Sequence, residues 1–351
     1  MIPIVNIDGR AVGPGNPPWI VAEMSGNHNQ SLERALEIVE AAARAGSDAV
    51  KLQTYTADTM TLDVDATSFR IDDPNSLWRG HTLYSLYSEA ATPWEWHEPI
   101  FKRCRDLGLT AFSTPFDASA VDFLESLSVP AYKIASFEIV DLPLIEKVAA
   151  TGKPMLVSTG MATVAEIDDA VRAAEDGGCR DLVLLKCTSA YPASSEYINL
   201  ATIPHLRDLF GVPVGLSDHT LGVGVAVAAV ALGAAVIEKH FTLRRADGGV
   251  DAAFSVEPEE MAALVHETHE AWKAVGKVQY GLSTAEKPSS RFRRSLYITD
   301  DLQEGDMLTS TNMRSVRPGD GLPPKYHAVL LGKRVSRSVR KGTPVTWDLV
   351  G

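Results

Sequence analysis

Short β-branched apolar runs alternate with longer amphipathic stretches through the first three quarters of the chain. Eight of these runs predict strands, at residues 19–24, 48–54, 110–114, 131–136, 154–159, 181–187, 212–218 and 234–240. The stretches between them predict helices. Leu32, Ala35, Leu36, Val39 and Ala43 form one apolar stripe that ends before Gly46, and Thr163 with Glu166 forms a capping box for a helix ending near Gly177. Strands alternating with helices imply parallel βαβ units, and eight units over about 250 residues predict an α/β fold, the (β/α)8 TIM barrel. A doubly wound sheet would gather its functional residues at one switch point, whereas polar residues close nearly every strand here.

Residues 212–240 contain one complete unit: a strand, a helix of Ala, Val and Gly, and a second strand. Because side chains alternate, Ser217 and His219 share a face, as do Glu238 and His240. Two imidazoles at the C-terminal ends of adjacent parallel strands, with Asp218 beside them, are placed to share a divalent cation. Either one alone reads as a hydrogen-bonded structural residue. The other strand ends bring Glu23, Lys51, Gln53, Thr114, Lys133, Ser136, Ser158, Ser189 and Tyr191 to the same rim, with Glu138 just beyond. Two lysines among hydroxyls suit a ligand carrying phosphate and carboxylate, although each lysine taken singly also reads as half of an ion pair.

Residues 55–92 break the rhythm after the second strand. A loop of that length is usually functional, and its place over the C-terminal face makes it a candidate lid bearing Leu77, Trp78, Leu83, Tyr84 and Tyr87. Beyond Gly276 the pattern changes again. The expected organisation is a barrel domain over 1–280, a linker over 281–290 and a small β-rich domain over 291–351 whose strands are RSLYIT, GDMLTS, GKRVSRSV and TPVTWDLV.

The formal net charge of −12 is uneven, with +5 on residues 285–351 and −17 on the rest. The C-terminal arginines are spread through short strands, and the Arg291, Arg293, Arg294 cluster has only Phe292 beside it, so no nucleic-acid partner is expected. Three cysteines without CxxC spacing, and an N-terminus lacking a basic region followed by an apolar core, predict a cytoplasmic protein. The longest uncharged apolar run has 17 residues, so no membrane span is expected. The HETHE run at 266–270 lacks the i, i+4 histidine spacing of a zinc protease, and Gly222-Val-Gly224 lacks the third glycine of a dinucleotide loop.

The stretches AEMSGNHN, VKLQTY, FSTPFD, YKIASFE, LVSTGMA, LLKCTSAYP, GLSDHT, EKHFT and RPGDG resemble the sialic acid synthase family over essentially the whole chain. Its members condense phosphoenolpyruvate with an N-acyl amino sugar to make a nonulosonic acid. The resemblance implies a barrel followed by an antifreeze-like (SAF) domain, swapped over the partner's barrel in a homodimer. It implies that His219 and His240 bind Mn2+ or Mg2+, and that Lys51, Thr114, Lys133, Ser136, Ser158 and Ser217 hold phosphoenolpyruvate. Glu23, Gln53, Tyr191 and Asp251 would face the sugar, as would Ser189, where many neuraminate synthases have Asn. Arg317 would reach the sugar from the other subunit, and Glu138 would activate water or stabilise positive charge at C2. The lid stretch and the MSGNHNQ opening resemble the branch whose sugar is 2,4-diacetamido-2,4,6-trideoxy-altrose, which carries a C6 methyl.

Overall fold

Eight parallel strands close into a barrel in a computed structural model that describes residues 2–351. An antiparallel hairpin comes first, β1 (Val5–Ile7) with β2 (Arg10–Val12). The barrel strands are β3 (Trp19–Glu23), β4 (Ala49–Thr54), β5 (Thr110–Pro115), β6 (Tyr132–Ile134), β7 (Met155–Ser158), β8 (Leu182–Cys187), β9 (Val214–Asp218) and β10 (Val236–His240), and β10 closes on β3. Each predicted strand is present, with its ends moved by a few residues. The helices stop where their caps dictate. Thr163 Oγ1 accepts from the Glu166 N–H at 3.3 Å and the Glu166 carboxylate accepts from the Thr163 N–H at 2.7 Å, opening the helix Val164–Asp176.

Alternation along the strands sorts the interior. Ile20, Ala22, Val50, Leu52, Ile134, Leu184 and Leu216 point outward and pack in the layer between strands and helices. Trp19, Ala49, Phe112, Ala131, Leu156, Val183 and Val236 point inward near the strand starts, where Val5, Ile7 and Val12 of the hairpin join them. The hairpin therefore stoppers the N-terminal end of the barrel. Its three-residue strands are too short for a periodic signal, so the sequence reading contains no such element. Gly215 is required in this interior, because a Cβ there would stand 2.5 Å from the Val236 carbonyl oxygen and 2.7 Å from Leu185 Cδ2. Further along the same inward face the residues become polar, which confines the candidate chemistry to one end.

The insertion 55–92 holds a helical turn (Ala57–Met60), a second short turn (Thr67–Phe69) and the helix Leu83–Ala90. The Trp78 indole N–H donates to the Val250 carbonyl at 2.7 Å, fastening the insertion to the segment after β10.

The chain divides into two compact units, Met1–Gly276 and Lys277–Gly351. Part of the expected linker is ordered as the short helix Lys287–Phe292. The C-terminal unit buries Leu296, Ile298, Leu302, Leu308, Met313, Leu330, Val335, Val345 and Leu349 in a core of its own. It is less regular than its sequence predicts. Only β11 (Ser295–Ile298) and β12 (Met313–Val316) form a ladder, and the segments GDMLTS, GKRVSRSV and TPVTWDLV contribute isolated bridges such as Leu302–Val339 and Val335–Val350. No helix among the described residues is long and apolar enough to cross a membrane.

Candidate active site at the barrel mouth

Glu23, Lys51 and Gln53 face inward at the ends of β3 and β4, and their neighbours in register bind them together. Lys51 Nζ lies 2.5 Å from the Glu23 carboxylate and donates to Thr114 Oγ1 at 3.0 Å, while the Gln53 amide donates to Glu23 at 3.1 Å. Across the barrel, Glu238 lies 3.8 Å from Lys51 and 3.9 Å from Lys133, and it accepts from Ser217 Oγ at 2.9 Å. These groups are buried, so each charge persists only through its partners. Burial, only partly offset by Lys51, pushes the Glu23 carboxyl above its ordinary value. Burial likewise lowers Lys133 against the pull of Glu238. The ion-pair reading of the lysines and the rim reading therefore both hold: Lys51 and Lys133 share one buried lattice with two carboxylates.

His219 and His240 sit beside this lattice with ring centroids 5.4 Å apart. His219 Nδ1 is held by the Thr188 carbonyl at 2.9 Å, and His240 Nδ1 is buried with no partner among the described residues. Burial, reinforced by His219, holds His240 well below the usual imidazole range and so neutral. An orphaned, neutral imidazole nitrogen facing a second imidazole fits a divalent cation. No group of three His, Cys, Asp or Glu side chains among the described residues is arranged around a cation, so these two imidazoles are the ligands the chain itself offers. The two rings are 5% and 9% exposed and packed against Tyr191 and Phe254, which makes the rim less open at this point than the strand-end reading implies.

A cavity of about 450 Å³ lies above, bounded by Gln53, Ser136, Glu138, Ser189, Tyr191, His240 and Asp251. Ser136 and Ser189 hydroxyls meet at 2.7 Å, and Asp251 accepts from Ser25 Oγ. Ser158 Oγ is buried without a partner among the described residues, a hydroxyl free for a ligand. Glu138 Oε2 is in the same condition, and burial raises that carboxyl to about 7. The insertion closes the far side with Met60, Ile71, Trp78, Leu83, Leu86 and Tyr87. Two of the expected lid residues point elsewhere. Leu77 is 48% exposed, and the Tyr84 hydroxyl donates to Asp58 at 3.1 Å, because both lie on the outer side of the folded insertion. Arg317 lies outside the barrel, in the C-terminal unit.

Fourteen barrel residues expected from the sequence gather at this mouth and its floor, but Glu238, which links both lysines, is not among those expected. Its alternation with His240 was a readable signal. Ser25 was not, since it reaches Asp251 only through a turn with positive φ.

The described NeuB family profile matches residues 38–280, and the SAF domain profile matches residues 293–351. The pseudaminic acid synthase of Helicobacter pylori is 43% identical over 95% of this chain and 97% of its own. The N,N'-diacetyllegionaminic acid synthase of Legionella pneumophila is 37% identical over 94% of each chain. The crystal structure of the N-acetylneuraminic acid synthetase from Leptospira borgpetersenii, in complex with citrate, superposes with a TM-score of 0.73 at 30% identity, covering 82% of this chain and 95% of that one.

Proposed function

Since the chain belongs to the NeuB family and carries a SAF domain at its C-terminal end, we propose that it is a pseudaminic acid synthase. It condenses phosphoenolpyruvate with 2,4-diacetamido-2,4,6-trideoxy-β-L-altropyranose, giving pseudaminic acid and phosphate with cleavage of the C2–O bond. The observation that carries this reading is the convergence of two buried lysines, two imidazoles and a carboxyl of raised pKa under an apolar lid.

Lys51 and Lys133 bind the carboxylate and phosphate of phosphoenolpyruvate, with Thr114, Ser136, Ser158 and Ser217 donating hydroxyls. Glu23, Gln53, Ser189, Tyr191 and Asp251 orient the sugar. His219 and His240 would hold a divalent cation, Mn2+ or Mg2+, which when bound polarises the sugar's aldehyde oxygen as a Lewis acid. Glu138 sits over the cavity with its carboxyl raised to about 7, and in its carboxylate form takes a proton from the water that adds at C2. Met60, Ile71, Leu83 and Leu86 give the lid side an apolar wall. Such a wall accepts a C6 methyl and leaves the C6 hydroxyl of N-acetylmannosamine without a partner.

A domain-swapped homodimer, with Arg317 of the partner subunit at the sugar, belongs to this reading. Its support is an apolar collar of exposed residues on the segments that follow the strands at the mouth: Phe137, Val140, Met161, Val164, Tyr197 and Leu221. A cytoplasmic location is supported by three unpaired, buried cysteines. The test is phosphate release from phosphoenolpyruvate that depends on both sugar and metal, followed by competition between the trideoxyaltrose and N-acetylmannosamine in kcat/KM. Preference for N-acetylmannosamine would reject the sugar, and release without any sugar would reject the condensation.

A further inference from the structure

Four lysines are buried among the described residues: Lys51, Lys133, Lys186 and Lys239. Three of them pair with carboxylates, at 2.5, 3.9 and 2.6 Å. Lys186 does not. Val183 and Leu185 of β8 lie in the barrel interior while Leu182 and Leu184 lie in the outer layer, so alternation turns Lys186 outward, away from the lattice. The side chain is 9% exposed, and its ammonium donates only to the Cys187 carbonyl at 2.6 Å and Thr188 Oγ1 at 3.0 Å. No carboxylate answers the charge of this half-enclosed ammonium, so an anion within its reach would be favoured.

A separate cavity of about 370 Å³ opens at Lys186, bounded also by Gly160, Thr188, Ser189 and Asn199. Ser189 borders the mouth cavity as well, and its hydroxyl meets Ser136 there. The partition between the two is thin. A Cβ at Gly160 would stand 2.5 Å from Ser136 Cβ and 3.0 Å from Ser189 Oγ, at a φ of +44°. Only glycine keeps the turn clear of these two serines.

We propose that Lys186 is a second oxyanion seat, outside the mouth, that receives inorganic phosphate as it leaves the reaction; this rests on the function proposed above. In that reaction, phosphoenolpyruvate C3 bonds to the aldehyde carbon and a water oxygen bonds to C2. The C2–O bond to phosphate then breaks with its electron pair on the phosphate oxygen, and the two protons of water end on the new sugar hydroxyl and on phosphate. Ser136, one of the hydroxyls proposed to hold phosphoenolpyruvate, stands against the thin partition, so phosphate freed in the mouth has a short way to Lys186. A compact ammonium flanked by hydroxyls and an amide suits a mobile dianion in passage, since it offers charge without a rigid fork.

Equilibrium dialysis of radiolabelled inorganic phosphate tests the seat, using the full chain saturated with phosphoenolpyruvate and given no sugar. Wild type should still bind one phosphate per chain. Lys186→Met should weaken that binding at least tenfold. So should Asn199→Asp, an exposed position where a carboxylate placed on the cavity supplies the missing charge and excludes phosphate without disturbing the core. No phosphate bound by wild type under these conditions, or equal binding by all three proteins, would overturn the seat. Sugar-dependent turnover measured in wild type separates the two ideas. Turnover with unchanged phosphate binding in the variants removes the seat alone, and absent turnover removes the reaction and with it the role in product release.

Discussion

Asp218 and Lys239 form an ion pair 2.6 Å long with both side chains fully buried, and each immediately precedes one imidazole of the site. Asp218 also accepts from the Thr220 N–H and Oγ1–H at 2.9 and 2.7 Å, and Lys239 donates to the Thr220 carbonyl at 2.6 Å. The pair therefore fixes the turn after β9 against β10, and with it the spacing of His219 and His240.

Lys239→Met leaves a buried carboxylate without its cation and should cost about 3–5 kcal/mol in urea unfolding. The double variant Asp218→Asn/Lys239→Met removes both charges and should recover most of that loss. Equal stability of the two proteins would show that the pair is not what ties these strand ends.

His219→Ala or His240→Ala should abolish turnover, and because both rings are packed each change should also cost about 1–3 kcal/mol. Treating wild type with a chelator should have the same effect on turnover without the stability loss, and added Mn2+ should restore the rate. Full activity after chelation would remove the metal from the reading.

Glu138 supplies a pH signature. Its folded carboxyl is raised to about 7 from 4.5, so the folded state binds a proton that the unfolded state has released. Stability should fall as pH rises across that interval, and Glu138→Gln should flatten the slope and gain roughly 2 kcal/mol at pH 8. In activity, kcat/KM of wild type should rise with pH through an apparent value near 7, and Glu138→Gln should lose that limb together with about 10²–10⁴-fold in rate. A pH profile unchanged in the Gln variant would assign the limb to another group.

Trp78 joins the lid to both Tyr191, with ring centroids at 5.8 Å, and the Val250 carbonyl. Trp78→Ala should raise KM for the sugar about tenfold or more while leaving KM for phosphoenolpyruvate nearly unchanged. Equal effects on both substrates would make Trp78 a general packing residue.

Arg317→Ala and Lys133→Ala chains, each inactive alone, should regain part of the activity when unfolded together and refolded as a mixture. In the swapped dimer proposed above, a heterodimer would have one mouth with Lys133 intact and the other chain's Arg317 within reach of it. No rescue would argue for an arginine acting within its own chain.

The sequence by itself determined the barrel and the end that carries the chemistry. Strand periodicity, the capping box at Thr163 and the polar residues closing the strands are local properties, settled by neighbours along the chain. Only the tertiary structure decided that Glu238 stands between Lys51 and Lys133, that Lys239 belongs to Asp218, and that Lys186 has no carboxylate. It also decided that Leu77 and Tyr84 turn away from the cavity and that a hairpin plugs the far end. These relationships join residues from about twenty to more than two hundred positions apart. They exist because closing the barrel places β10 against β3, and because burial inside it makes every charge depend on which partner that closure brings within reach.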